Sequence, residues 1–205
     1  MAPAGLPTAL RRYLAALRML LVFTVLTGIA YPLAVTGVAQ ALLPGRANGS
    51  LLTADGRPVG SRLLGQNFAL PGTHGARPDP AWFQPRPSAA DYDPGKSGAS
   101  NLGPNNPALT AAVRARRAAV AAFDGVPAAA VPPDAVTAGG SGLDPDISPA
   151  YAYEQVSRVA RARRVAPARV RALVERHVEG RQLGFLGQPH VNVLLLNRAL
   201  GAAGR

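Results

Sequence analysis

The stretch from Met19 to Gly45 holds no Asp, Glu, Lys, Arg or His, and Arg11, Arg12 and Arg18 stand just before it. A helix of about 20 apolar residues crosses the ~30 Å hydrocarbon core of a bilayer. Everything after Arg46 is mixed and rich in Gly and Pro. The chain reads as a short N-terminus over 1–18, a transmembrane helix over 19–43 and one domain over 44–205. Ala39-Gln40-Ala41 has the look of a signal-peptidase site. A signal peptide, however, has an apolar core of only about 7–15 residues. A retained single-pass anchor is therefore expected. The basic N-terminal flank favours an N-terminus in the cytoplasm and a domain outside the cell (inner or plasma) membrane.

The region beyond the anchor, roughly 160 residues, is enough for one domain with a real core. The absence of cysteine removes disulfides, thiolate zinc sites and thiol catalysis. The net charge is +11, and of the 22 basic residues only Lys96 is lysine. The arginines are scattered over several expected helices and no RNA- or DNA-binding motif accompanies them, so no nucleic-acid partner is expected. High Arg, Ala, Gly and Pro together reflect coding bias.

Tyr31-Pro32 lies inside the apolar span, where proline removes one backbone hydrogen bond and tends to kink the helix. Thr24, Thr27, Gly28 and Thr36 offer a small, hydroxylated surface for another transmembrane helix. Beyond the span, Asp55-Gly56 and neighbouring glycines predict turns around a short strand at Ser50–Thr53. Ser61–Phe68 reads as a short strand entering a loop, and 69–107 as a long irregular stretch anchored by Trp82 and Phe83. Asn106-Pro107 opens a helix to Phe123, stopped by Gly125. Ser148-Pro149 opens a second helix, with Ala152, Val156, Val159 and Ala160 inward and Arg158, Arg161 and Arg164 exposed. Pro167 opens a third, with Val170, Leu173, Val174, His177 and Val178 on one face and Gly180 as its stop. Val191–Leu196 reads as a buried strand. The fold class is α+β: one N-terminal transmembrane helix followed by a single mixed helix and strand domain.

Catalytic patterns are sparse. Ala90–Ser97 fits a phosphate-loop pattern if alanine is allowed at its first position, but no apolar strand precedes it and no buried helix can follow it. His74, His177 and His190 lack metal-ligand spacing. Ser141 lacks the second glycine of a nucleophile elbow, since Leu143 stands there. A membrane-anchored extracytoplasmic hydrolase using Ser141, Asp144 and His190 is the alternative reading. Asp144-Pro145-Asp146 reads first as a turn leading into a helix cap, and second as a polar interface.

Several blocks of unusual composition occur in a fixed order. They are Tyr31-Pro32, Gly65-Gln66 with Phe68, Phe83, and Arg86-Pro87-Ser88-Ala89. Ser97-Gly98-Ala99-Ser100-Asn101-Leu102-Gly103-Pro104-Asn105 follows, then Val136-Thr137-Ala138. Last come Ser141-Gly142-Leu143-Asp144-Pro145-Asp146-Ile147-Ser148-Pro149, Arg158-Val159-Ala160, Val191-Asn192-Val193 and Leu196-Asn197. Together they resemble the KdpC family, the C subunit of the bacterial potassium-transporting Kdp ATPase. Trp82, Pro85 and Gly139-Gly140 depart from the family's usual residues. The resemblance implies a non-catalytic accessory subunit, needed for assembly and activity of an ATP-driven high-affinity potassium importer. It implies two partners, a channel-like potassium-binding subunit and an ATP-hydrolysing subunit. It also carries the family's description as a catalytic chaperone that raises ATP affinity. No bound cofactor is expected from the residues themselves, and ATP enters through the resemblance alone. A domain outside the membrane cannot reach cytosolic ATP, so a cap over the channel-like subunit is the favoured picture.

Overall fold

The computed structural model describes residues 7–54, 56–73 and 77–202. The turn expected at Asp55 and the side chain of His74 lie outside them. The chain divides into two compact units, Met1–Ser50 and Leu51–Arg205.

In the first unit an unbroken helical run extends over Thr8–Leu42, 35 residues with a mean hydropathy of 2.0 in its most apolar window and nothing buried. It comprises α1 (Thr8–Val25), a π-helical turn (Leu26–Ala30) and α2 (Tyr31–Leu42). At about 1.5 Å per residue it is roughly 50 Å long, which exceeds the hydrocarbon core. Helix therefore continues back through Arg18, Arg12 and Arg11, earlier than the Met19 start of the apolar span. The π turn has a local cause. Pro32 has no N–H to give to Gly28, and its ring crowds that carbonyl, so the turn before it widens by one residue. Thr27 Oγ1 donates to Phe23 O at 2.6 Å, satisfying its hydroxyl within the helix. A short α3 (Pro44–Ala47) follows. Gln40 and Asn48 exchange side-chain amide bonds at 3.1 Å, and Asn48 also donates to Pro44 O.

The second unit begins with an antiparallel hairpin, β1 (Leu51–Ala54) and β2 (Arg57–Ser61), with a register shift between Leu52 and Thr53. The long stretch that follows has no helix or strand among its described residues. Phe83 pins it to the core with 0% exposure, while Trp82 stays half-buried. Helix α4 (Pro107–Asp124) starts as the sequence predicts: Asn106 Oδ1 accepts from Ala108 N at 2.9 Å, and Pro107 occupies the first position. Gly125 ends it at φ 73°.

After two 3-10 turns (Ala128–Ala130 and Pro133–Ala135) come β3 (Asp146–Ile147), α5 (Pro149–Glu154), α6 (Val156–Arg163), α7 (Pro167–His177), β4 (Val178–Glu179), β5 (His190–Asn192) and α8 (Val193–Ala202). β5 is the central strand of a small antiparallel sheet ordered β3-β5-β4, pairing Ile147 with Val191 and Val178 with Val191. One hydrophobic core joins this sheet to the helices, with Val159, Val174, Val191 and Leu196 fully enclosed.

Four expectations are corrected. The strand read over Val191–Leu196 stops at Asn192. Its side-chain Oδ1 accepts from Leu195 N at 3.1 Å and starts a helix, while Pro145 O takes the Val193 N–H. A short buried run of Val and Leu has no periodicity that separates strand from helix. The helix read from Ser148 onward is two helices, α5 and α6, meeting at Gln155. The third helix ends at His177, before Gly180, because Val178 joins the sheet. Ser61 closes β2, and a turn through 62–64 takes the place of the strand read to Phe68. His177 stays half-buried, with Nδ1 2.8 Å from Leu173 O.

A locked turn and a buried arginine beneath it

The Ser141–Pro149 segment is held by two neighbouring loops. Gly98 N donates to Ser141 O at 2.8 Å and Ser97 Oγ to the same oxygen at 3.1 Å. Ser88 Oγ donates to Gly142 O at 2.6 Å and accepts from the Ala90 and Tyr92 N–H groups. Gly65 N donates to Leu143 O at 2.8 Å. Two glycines are required by this close approach. Gly142 has φ 67°, and a Cβ there would lie 2.7 Å from Gly98 O. A Cβ on Gly65 would lie 2.5 Å from the Tyr92 ring and 2.6 Å from Asp144 O.

Inside the turn, Asp144 is committed to structure. Its Oδ2 pairs with Arg86 Nη1 at 2.7 Å and its Oδ1 accepts from Asp146 N at 3.1 Å. Arg86 Nη2 also reaches Thr137 O at 3.4 Å, and Tyr92 donates its hydroxyl to Arg86 O. Burial, first, and the nearby Asp144 carboxylate push the Tyr92 hydroxyl far above its ordinary range, so it stays a donor. Pro145 supplies its carbonyl to Val193 N. Burial raises the Asp146 pKa, while His190 opposes that rise; its carboxylate accepts from Asn192 Nδ2 at 3.1 Å. Ile147 is buried in β3. Ser148 caps α5 by accepting from Tyr151 N at 3.0 Å, and Asp134 accepts from Ser148 N and Oγ at 2.7 and 2.9 Å. Pro149 takes the first helical position.

The structure thus brings together Gly65, Arg86, Ser88, Ser97, Gly98 and Ser141–Ser148. Pro87 lies between two of these anchors and is half-buried. The other half of the Ser97–Asn105 loop stands apart: Ser100, Asn101, Gly103 and Asn105 are exposed, and Leu102 is half-buried. Asn101 adopts φ 53°. Gln66 donates to Val59 O at 2.8 Å, and the Phe68 ring lies 6.3 Å from Trp82. Tyr31 and Pro32 belong to the separate helical unit.

No hydrogen bond joins Ser141, Asp144 and His190 to one another. Ser141 Oγ accepts from Leu143 N, Asp144 is held by Arg86, and His190 Nε2 lies 3.9 Å from Asp146 and Glu179. The side chains of the alternative hydrolase reading are therefore each occupied elsewhere. In the Ala90–Ser97 segment no strand leads in and no helix leads out. Lys96 Nζ sits 3.4 Å from Asp93. Among the described residues no group of His, Cys, Asp and Glu could hold a metal ion.

Sequence reasoning placed Arg158 on an exposed face; it is 4% exposed instead. Its Nε bonds Asp124 Oδ1 at 2.5 Å, Nη1 bonds the Pro80 and Trp82 carbonyls, and Nη2 bonds Gln155 Oε1 at 2.6 Å. Its guanidinium also lies 4.5 Å from the Phe123 ring centroid. Two amide side chains then bind the extended 83–84 backbone as a neighbouring strand would. Asn197 pairs with both the N–H and the carbonyl of Phe83, each at 2.9 Å. Gln155 does the same for Gln84 at 2.6 and 3.1 Å. The signal for Arg158 and Asn197 was their place in the Arg158-Val159-Ala160 and Leu196-Asn197 blocks; Gln155 carried none. Helical periodicity alone assigns them no partner.

Glu154 borders this cluster. Both its carboxyl oxygens are inaccessible to solvent and have no hydrogen-bond donor among the described residues. Burial, then the Asp124 carboxylate, raises its pKa from 4.5 to about 7. A carboxyl whose pKa is higher folded than unfolded opposes folding when ionised. The penalty is absent below about pH 4.5, grows between 4.5 and 7, and is complete above about 7. Glu154→Gln is therefore expected to raise the melting temperature at pH 8 and leave it nearly unchanged at pH 4.5. The gain at pH 8 is about 1 kcal/mol, since the Glu154 residue as a whole is only half-buried and nearby water screens its charge. Thermal melts of both proteins at the two pH values check it.

The family model described as "K+-transporting ATPase, c chain" (KdpC) matches residues 13–202. The chain belongs to the KdpC family. A KdpC subunit of a potassium-transporting ATPase from Kineococcus radiotolerans is 54% identical over 201 residues, covering 97% of each chain. One from Sorangium cellulosum is 58% identical over 191 residues, covering 92% of this chain and 96% of the relative. The relative from Streptomyces coelicolor is 49% identical over 212 residues, covering 96% and 94%. The matched KdpC region takes in the apolar helix from Tyr13 onward and the whole locked turn, so both units fall within one family match.

Proposed function

We propose that this chain is the single-pass, non-catalytic accessory subunit of an ATP-driven potassium importer. Its partners are a channel-like potassium-binding subunit and an ATP-hydrolysing subunit. The observation that carries this reading is the full-length KdpC match combined with an apolar helix at residues 8–42. Ser141 and Asp144, two of the three side chains of the hydrolase reading, are spent on holding a turn. In this reading Arg11, Arg12 and Arg18 keep the N-terminus in the cytoplasm, and the second unit stands outside the cell membrane.

The Tyr31-Pro32 region packs the anchor against the transmembrane helices of the channel-like subunit, using the widened turn and the small residues around Gly28. The exposed Ser100–Asn105 half-loop, with its base fixed to the Ser141 turn, supplies a rigid polar contact to the same partner. The family's description of raised ATP affinity would then act indirectly, through a complex held in its working arrangement. The Ala90–Ser97 segment lacks the strand and helix that cradle phosphates. Deletion of this chain's gene should abolish growth at limiting potassium, and the intact chain should restore it. Normal high-affinity uptake in the deletion strain would overturn the reading.

A further inference from the structure

A trough of about 820 Å³ runs across the second unit between the β1–β2 hairpin, Trp82 and the end of α8. Its apolar floor includes Val59, Phe68, Trp82 and Leu194. Among the described residues, its charged lining side chains are Arg163 and Arg198. Asp79 acts electrostatically on Arg163 but is not part of the lining.

Both guanidinium groups are held in place. Arg163 Nε bonds Ala81 O at 2.6 Å while its plane stacks 4.1 Å from the Trp82 ring centroid. Arg198 Nη2 bonds Thr53 O at 3.0 Å, tying α8 to the hairpin. Each uses a carbonyl for one edge, and a guanidinium has five N–H donors in a fixed fork suited to carboxylates. The end of α8 keeps the trough open. Gly201 lies where a Cβ would come 3.4 Å from Trp82, and Ala202 adds only a methyl.

We infer that this trough docks an acidic segment of a partner protein chain, with apolar side chains on the Trp82 floor and carboxylates on Arg163 and Arg198. Charge complementarity selects the occupant: two fixed cations over an apolar floor match alternating acidic and apolar residues. The inference rests on the accessory-subunit reading and names a docking surface for it.

The test uses the full chain co-expressed with the two large pump subunits. A photo-reactive phenylalanine analogue at Ala202 is compared with one at Arg114 on exposed α4. The expected result is a cross-link from position 202 to a partner peptide rich in Asp or Glu, and none from 114. Arg198→Glu should lower the co-purifying fraction about tenfold, an effect that weakens in high salt. Ala202→Trp, which fills the trough without touching the Arg198–Thr53 bond, should do the same and leave the melting temperature of the chain unchanged. Co-purification of the unaltered chain with no cross-link from 202, or with cross-links to lipid alone, would overturn the docking surface and leave the accessory reading standing. ATP that abolishes the 202 cross-link and is itself labelled there would assign the trough to nucleotide instead. Failure of the unaltered chain to co-purify would overturn both.

Discussion

Arg158→Ala is expected to destabilise the second unit by about 3–5 kcal/mol, a large share of the 5–15 kcal/mol that holds an ordinary domain together. Removing the guanidinium leaves Asp124 buried at 2% exposure without its cation, and strands the Pro80 and Trp82 carbonyls and the Gln155 amide. Arg158→Lys should recover little, because one ammonium cannot reach four acceptors spread over α4, the α5–α6 junction and the 80–82 segment. A double replacement, Asp124→Leu with Arg158→Met, should cost less than Arg158→Ala alone, since it removes both charges together. Thermal melts of the detergent-purified chain check all three. A single replacement as stable as the parent would mean that Arg158 is solvated in the folded protein.

Gly142→Ala is expected to separate the 97–98 strap from the Ser141 turn. A side chain at φ 67° costs about 1–2 kcal/mol by itself. The new methyl would also meet Gly98 O at 2.7 Å and Ala90 Cβ at 2.8 Å, and the first of these is rigid backbone. The total is about 2–4 kcal/mol. Faster proteolysis within 97–105 should accompany it, together with weaker retention by the pump subunits. Gly140→Ala is the matched control: nothing lies within 4 Å of its added Cβ, and its effect should stay within about 0.5 kcal/mol. Equal behaviour of the two variants would show that the turn is not locked.

These variants fall where local sequence rules stop informing. The apolar helix, the Asn106-Pro107 and Ser148-Pro149 helix starts and the Gly125 stop were legible, because each depends on residues within a few positions. The strand read at Val191–Leu196 failed because its ending is set by Asn192 capping Leu195 and by Pro145 from a distant turn. Arg158 was misplaced for the same reason: its Asp124, Trp82 and Pro80 partners lie 34 to 78 positions away. Asp144 read as part of a turn leading into a helix cap, and only the fold shows its pairing with Arg86. The order of the unusual blocks carried the family. It did not reveal that Asn197 and Gln155 pair side-chain amides with the 83–84 backbone in place of a strand.

The central claim, an anchored subunit whose second unit stands outside the cell, is tested most directly at Lys96. It is the single lysine of the chain, and its side chain is 78% exposed. An amine-reactive reagent that cannot cross membranes should label Lys96 in intact spheroplasts, as read by peptide mass spectrometry. Labelling of Lys96 only after the membrane is permeabilised would place the second unit in the cytoplasm and contradict the account.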